Sequence, residues 1–168
     1  APEKVTGKAL FGIDIKRPGM IYGAVARPPV YGSLVIAFDD KAARAIPGVL
    51  NVKAIDAGVV VLAKDYWTAS KGAKALTVQW DDQGLGQLST ASFTEEYRAL
   101  SKTDGLLAED IGDAKAVHEA ASAVHEAVYE MPYLAHATME PMNCTAKLAG
   151  DHCEIWVGTQ YQSNDRTV

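Results

Sequence analysis

The chain has 168 residues and a net charge of −5, and 48% of its residues are apolar. This acidic balance argues against a nucleic-acid-binding surface, because phosphate recognition requires clustered Lys and Arg. No run reaches the ~18 consecutive apolar residues of a membrane span. A chain of this length can bury a core without metal or disulfide support, and its composition leaves the cellular compartment open.

Residues 1–82 are predicted to alternate strands with short helices. Runs rich in Val, Ile and Tyr between Gly and Pro residues predict strands at 20–29, 32–40, 49–56, 58–65 and 77–82. A helix is expected at 41–45, capped by Asp39 or Asp40. A second helix, at 65–76, should begin at Asp65 and place Trp67, Ala69, Ala73 and Leu76 roughly on one face. The order indicates an α+β fold.

The rest of the chain is predicted to be less regular. A turn-rich linker at 81–90 leads to a helix at 89–101, with a capping box beginning at Thr90. Another short helix is expected at 112–121, starting from an Asp cap. The alternation at 122–132 predicts a strand carrying His125. Residues 143–148 and 153–159 predict a hairpin with its turn at 149–151, and a helix is starting in 161–168.

The two cysteines, Cys144 and Cys153, lie on the two arms of this predicted hairpin. Two reduced, half-buried thiols are the favoured interpretation, and a disulfide between adjacent strands is the alternative. A zinc site that also uses His136 and His152 would need closer ligand spacing than the sequence has.

Most familiar catalytic motifs are absent: the sequence contains no GxSxG, no P-loop and no HExxH. The stretch HATMEPMNCTA matches none of these motifs, but it holds a carboxylate in an unusual setting. Pro141 forces Glu140 out of helical geometry among apolar neighbours, so this carboxylate must accept hydrogen bonds or be neutral. Glu140 either satisfies loop amides and fixes the turn or lines a cofactor pocket, with His136 as its neighbour.

A second candidate site is the end of the last predicted strand, Val157 to Gln160. Gly158 permits close backbone approach, and Gln160 offers an amide donor. The alternative is structural: Thr159 would cap the next helix and leave Gln160 exposed in its first turn.

Several stretches in the same order resemble the large subunits of molybdenum hydroxylases, the xanthine dehydrogenase and aldehyde oxidase family, and especially its isoquinoline 1-oxidoreductase beta-subunit group. The stretches are VTGKALFGIDIKRPGMIYGAVARPP, IPGVLNVKAI, VVVLAKDYWTASKGAKALTVQWDD, HATMEPMNCTA and IWVGTQ. Together they cover nearly the whole chain.

The resemblance implies an a/b hammerhead-like domain at 1–82, a linker with a helix at 83–115, and the start of a molybdopterin-binding domain at 116–168. It also implies a pterin cofactor, in a dinucleotide form, and an iron–sulfur subunit or domain as partner. Such enzymes hydroxylate an N-heterocycle or an aldehyde with oxygen from water.

The resemblance places Thr159 and Gln160 on the family's TQ motif, whose glutamine hydrogen-bonds an oxygen ligand of molybdenum. Gly158 is expected beside it, and His136 and Glu140 are expected near the cofactor. The family's catalytic glutamate and its pterin-binding glycine-rich segments have no counterpart here. The chain alone is therefore expected to be an inactive fragment that holds no cofactor and that self-associates through exposed sheet edges.

Two other functions remain open on the sequence. The chain could be a non-enzymatic, hammerhead-like assembly module, or it could be a small metal-binding domain that uses the two cysteines with His136 and His152.

Overall fold

The computed structural model describes residues 2–167, which form a mixed helix-and-sheet fold. The strands within this range are β1 Tyr22–Ala26, β2 Leu34–Asp39, β3 Val49–Ile55, β4 Gly58–Ala63, β5 Thr77–Asp81, β6 Cys144–Ala149 and β7 His152–Val157. The helices are α1 Pro2–Val5, α2 Lys41–Arg44, α3 Tyr66–Lys74, α4 Thr90–Leu100, α5 Ala114–Ala120 and α6 Gln162–Asp165. Short 3₁₀ turns lie at Gly12–Asp14 and Leu85–Gln87.

The core lies on an antiparallel three-stranded sheet in the order β1-β4-β3. The central strand, β4, is a nearly continuous apolar run, and its Val59 and Val61 are fully buried. Val61 stands opposite Ala24 of β1 and Val52 of β3. The predicted strands in this part of the chain are confirmed, with bounds a few residues shorter than expected.

Helix α3 packs against β1 and β4. The Asp65 carboxylate caps it by accepting a hydrogen bond from the Thr68 amide at 2.8 Å, as the sequence predicted. Ala69 is fully buried, but Trp67, predicted on the same helix face, is not. The Trp67 side chain is 68% exposed and lies 5.7 Å from the Lys71 ammonium.

Strands β2 and β5 form a separate two-stranded sheet with a bulge between Val35 and Ala37. Helix α2 follows β2 at the predicted position. The Asp39 carboxylate accepts the Lys41 amide at 3.0 Å, while Asp40, at the N-cap position, binds Arg44 at 2.6 Å.

Helices α4 and α5 also form where predicted. The capping box of α4 begins at Ser89 and closes on Ser92, one residue earlier than expected from Thr90. Asp113 caps α5 by accepting the Ala116 amide at 2.8 Å.

The strand predicted at 122–132 is wrong: the structure has no strand between α5 and β6, so His125 does not lie on a sheet. Side chains of α4 hold this segment instead. Arg98 donates to both Glu130 oxygens, at 2.5 and 2.8 Å, which holds the pKa of that carboxyl below its usual value. The Tyr97 and Tyr133 hydroxyls lie 2.7 Å apart. An alternating sequence forms a strand only where a partner strand is available.

The β6–β7 hairpin is confirmed, with its turn at residues 150–151. Its register places Cys144 opposite Val157 and Cys153 opposite Leu148, so the two cysteines are not cross-strand neighbours. Both are free and exposed, which removes the disulfide alternative and corrects the expectation that they are half-buried.

Candidate functional site

Residues 10–17, the N-terminal strap, lie against the end of the β6–β7 hairpin. Phe11 and Ile15 line a cleft of about 300 Å³ together with Trp156 and Val157. The Arg17 guanidinium stands 4.5 Å from the centre of the Trp156 ring, a cation–π distance. Strap and hairpin are thus joined by apolar packing and one cation–π contact, although they are far apart in sequence.

Glu140 joins the strap to the loop that precedes β6. Its Oε1 atom accepts a hydrogen bond from the Gly12 amide at 2.9 Å and another from Asn143 Nδ2 at 3.2 Å. Asn143 Nδ2 also donates to the Pro141 carbonyl at 2.7 Å. The half-buried carboxylate therefore does what the structural alternative required, since it satisfies a backbone amide and fixes the turn.

The same carboxylate lies beside the end of the hairpin. A Cβ atom at Gly158 would stand 3.1 Å from Glu140 Oε2, which is tighter than ordinary van der Waals contact. The absence of a side chain at position 158 is what lets the carboxylate come this close.

Thr159 shapes the turn that leads into α6. Its hydroxyl accepts the Tyr161 amide at 3.2 Å and donates to the Asp165 carboxylate. Gln162 Nε2 donates to the Thr159 carbonyl at 3.2 Å. The expected capping role is wrong in position, because the N-cap of α6 is Tyr161. Gln160 therefore precedes the helix rather than lying in its first turn.

The side chain of Gln160 is exposed and forms no hydrogen bond with any residue in 2–167. The Gln160 amide is thus available to bind a ligand, whereas the hydroxyl of the preceding residue, Thr159, is already hydrogen-bonded. The turn around Thr159 fixes the backbone that carries this amide.

Gln160 lines a cavity of about 1400 Å³. The lining contains every residue that the sequence singled out as cofactor-binding or as a pocket neighbour: His136, Glu140, Gly158, Thr159 and Gln160. The structure thus brings two separate stretches of sequence to one cavity. Their part in binding a cofactor stays a prediction.

Other lining residues come from β1 and the residue after it, from α3 and from α1. The polar ones among them are Lys4, Arg27, Tyr66, Ser70 and Lys74. None of these residues stood out in the sequence, because each is an ordinary surface residue until the fold places it on this cavity.

Ala137 has a φ of +47°, in the left-handed region. This backbone conformation costs an L-residue roughly 1–2 kcal/mol. Its neighbours His136 and Thr138 both line the cavity. Strained backbone of this kind is concentrated at functional sites, and no pattern in the sequence announced it.

Sequence reasoning also missed Gly12 and Asn143. Gly12 binds a carboxylate 128 residues away, and no local pattern can report such a contact. For Asn143 a signal existed, because it lies three residues after Glu140 in the stretch that had been singled out.

Two features are absent from the part of the chain that the structure describes: a metal-binding cluster and a membrane-spanning helix. No three His, Cys, Asp or Glu side chains there are grouped so that they could hold a metal ion, and this leaves the small metal-binding domain without support. Across residues 2–167 no helix combines the length and the apolar character that crossing a bilayer requires.

Comparison with known proteins gives several relatives. The chain is 32% identical over 172 residues to a membrane-bound, pyrroloquinoline-quinone aldehyde dehydrogenase of Gluconacetobacter polyoxogenes. It is 31% identical over 171 residues to the isoquinoline 1-oxidoreductase subunit beta of Brevundimonas diminuta. These alignments cover 96% and 95% of the chain but only 22% of each relative. A more distant relative, at 23% identity, is the xanthine dehydrogenase molybdenum-binding subunit of Escherichia coli O157:H7.

A solved structure supports the same fold. The chain superposes on quinoline 2-oxidoreductase from Pseudomonas putida 86 with a TM-score of 0.69 and 18% identity, over 99% of this chain and 26% of that one. No protein-family model matches the chain.

Over most of its length the chain is thus similar to proteins named as subunits of isoquinoline 1-oxidoreductase and of xanthine dehydrogenase, and it shares the fold of quinoline 2-oxidoreductase. These relatives agree with the resemblance to the xanthine dehydrogenase and aldehyde oxidase family that the sequence shows, and the chain spans about a fifth of the length of the two relatives first named.

Proposed function

We propose that this chain forms one wall of a molybdenum-cofactor site in an oxidoreductase that hydroxylates an N-heterocycle or an aldehyde with oxygen from water. The observation that carries the proposal is the convergence of residues 136–140 and 158–160 on one cavity. The names of the relatives, which include aldehyde and isoquinoline oxidoreductases, support the substrate classes.

The residues on this wall fit a pterin-held metal. A molybdopterin brings its own sulfur ligands, so the protein must supply hydrogen bonds and room more than metal ligands. Gln160 supplies an uncommitted amide donor, and Gly158 leaves the backbone open beside it. The cofactor, when bound, supplies the two-electron oxidation chemistry.

Gln160 is the residue to which we assign the direct contact. Its neutral amide would donate to an oxygen of the bound cofactor and so stabilise negative charge there without placing a second charge beside the metal. Thr159 acts through the backbone, because its hydroxyl is already committed to Tyr161 and Asp165.

We further propose the domain division 1–82, 83–115 and 116–168, with a hammerhead-like first domain and the start of a molybdopterin-binding domain last. The cofactor is proposed to be a dinucleotide form of the pterin. An iron–sulfur subunit or domain is the proposed electron-transfer partner, and the relatives named as subunits support a multi-subunit enzyme.

The test is Gln160→Ala in the protein expressed from its complete gene, measured by metal content and by the rate of substrate oxidation. Loss of a hydrogen bond to a metal's surroundings costs roughly 10–100-fold in activity or affinity, so we expect the rate to fall by that factor. Gln79→Ala, an exposed position on β5, is the matched control. Equal rates for the two variants would contradict the role of Gln160.

The name of the Gluconacetobacter relative favours a second candidate, a quinone-dependent aldehyde dehydrogenase. Metal analysis of the purified protein separates the two candidates, since the first predicts stoichiometric molybdenum and the second a redox-active quinone. A protein with neither, and with no oxidase activity, would favour the non-enzymatic assembly module.

A further inference from the structure

We propose that Glu140 is a positioning residue. Its carboxylate joins the N-terminal strap to the Gly158–Gln160 end of the hairpin and thereby fixes where the Gln160 amide stands in the cavity. We call the contacts of Glu140 with Gly12, Asn143 and Gly158 the joint. The importance of Gln160 rests on the proposed function, whereas the joint is a property of this chain alone.

The first step is the hydrogen bonding of the carboxylate. Glu140 Oε1 accepts from the Gly12 amide at 2.9 Å and from Asn143 Nδ2 at 3.2 Å. A hydrogen bond to an ionised acceptor is stronger than one between neutral groups. One oxygen atom thus holds a backbone group of the strap and a side chain of the loop before β6.

The second step is the choice of glycine on both sides of this joint. A Cβ atom at Gly12 would lie 2.5 Å from Asn143 Oδ1, and one at Gly158 would lie 3.1 Å from Glu140 Oε2. Real Cβ atoms essentially never make the first contact and seldom make the second. Both backbone segments therefore approach the Glu140–Asn143 pair more closely than residues with a side chain could.

The third step concerns Asn143. Its Nδ2 atom serves both Glu140 and the Pro141 carbonyl, while its Oδ1 atom is buried and has no partner among residues 2–167. A buried, unpartnered oxygen is unfavourable. The orientation of the amide is thus set by the groups that need its donor, and the carboxylate is one of them.

The last step is the short path from this joint to Gln160. Gly158 lies against the carboxylate, and Gln160 follows two residues later in a turn held by the Thr159 hydroxyl. The turn keeps its shape because of its own hydrogen bonds. If the Glu140 carboxylate is displaced, the turn therefore moves with Gly158 and changes the position of the Gln160 amide.

The experiment compares three variants of the ¹⁵N-labelled chain by NMR: Glu140→Ala, Glu140→Gln and the control Glu96→Gln, which removes an exposed carboxylate on α4. In Glu140→Ala we expect hydrogen exchange of the Gly12 amide to accelerate roughly tenfold or more. We also expect shifts of the Gly158 amide and of the Gln160 side-chain NH₂ resonances. Glu140→Gln should be intermediate, because its carboxamide oxygen still accepts from Gly12. A Gln160 resonance that moves in Glu140→Ala and returns toward its original position in Glu140→Gln is a result that a generally loosened fold would not give.

Unchanged Gly12 exchange and unchanged Gln160 resonances in Glu140→Ala, relative to Glu96→Gln, would overturn the proposal. If Glu140→Ala does not fold, Glu140→Gln decides: a shift of the Gln160 NH₂ resonances beyond that in the control supports the joint, and no shift overturns it.

These readouts need no cofactor. A protein that lacks molybdenum would therefore contradict the proposed function without affecting the positioning role of Glu140. A Gln160 resonance that does not move would contradict the positioning role without affecting the proposed function.

Discussion

Asp65 shows how a single side chain makes stability depend on pH. Its carboxylate accepts the Thr68 amide and the Thr68 hydroxyl, each at 2.8 Å. The hydrogen bond from the Thr68 amide, followed by the one from the hydroxyl, holds the pKa of Asp65 below its usual value. A carboxyl group whose pKa is lower in the folded than in the unfolded chain stabilises the fold above its unfolded-state pKa. That stabilisation is lost as the pH falls through the folded-state pKa.

We therefore expect Asp65→Ala to lower the free energy of unfolding at pH 7 and to make its further decline with acidification shallower than in the unaltered chain. Urea unfolding between pH 7 and pH 2 measures both effects. Asp104→Ala, which removes an exposed carboxylate from the irregular segment after α4, is the control. Parallel pH profiles for Asp65→Ala and the unaltered chain would contradict this role.

At the residue scale, the cap at Asp65 was predictable because its signal is local: an Asp directly before an apolar helical pattern. Five of the residues that line the cavity were also singled out from the sequence: His136, Glu140, Gly158, Thr159 and Gln160. The local chemistry of two stretches indicated them first, and the resemblance to a family then favoured a cofactor role. Gly12 was out of reach, since its partner lies 128 positions away.

At the scale of elements, α3 packs closely against the central strand β4. A Cβ atom at Gly72 would stand 2.7 Å from Val61 Cγ1, and Val61 is fully buried. Glycine inside a helix normally costs about 1 kcal/mol relative to alanine, but here it provides the space that the strand requires.

Gly72→Ala is therefore expected to destabilise the chain by about 1–3 kcal/mol, the usual cost of overpacking a core, despite the gain in helix propensity. Denaturant unfolding measures the change. In the double variant Gly72→Ala with Val61→Ala the removed methyl groups relieve the clash, so the combined loss should be smaller than the sum of the two single losses. A rise in the unfolding midpoint of Gly72→Ala would show that the helix can move away from the sheet.

The elements that the sequence predicted well are those whose partners are near in the chain. Strands β3 and β4 pair across a two-residue turn, and α3 follows β4 directly. The strand expected at 122–132 failed because alternation records only which side chains share a face. The α4 side chain of Arg98 binds Glu130 of this segment instead, and Tyr97 binds Tyr133 just after it; nothing in the alternation could reveal these contacts.

At the scale of the whole molecule, much apolar surface is exposed. Leu134, Met139 and Met142 are each at least 84% exposed. Within residues 2–167, β6 and β7 pair only with each other, and so do β2 and β5. Unpaired strand edges and exposed apolar side chains favour association with other chains.

We expect the 168-residue chain to self-associate as its concentration rises, which light scattering measures. Leu148→Lys, on the exposed face of β6, should reduce this association, because a charge near a strand edge opposes pairing. Lys147→Arg, at the neighbouring position, preserves the charge and is the control. A monodisperse monomer at high concentration would contradict the expectation.

The hydrogen bond between the Gly12 amide and the Glu140 carboxylate also affects the order in which the chain can fold during synthesis on the ribosome. The sheet of β1, β3 and β4 is built from neighbouring segments and can form early, since closing short loops costs little entropy. Residues 10–17 are translated well before the hairpin that ends at Val157, and they cannot pack on that hairpin until it has emerged. Residues 10–17 are thus expected to reach their final place late, and to stay exposed while the chain between them and the hairpin is translated.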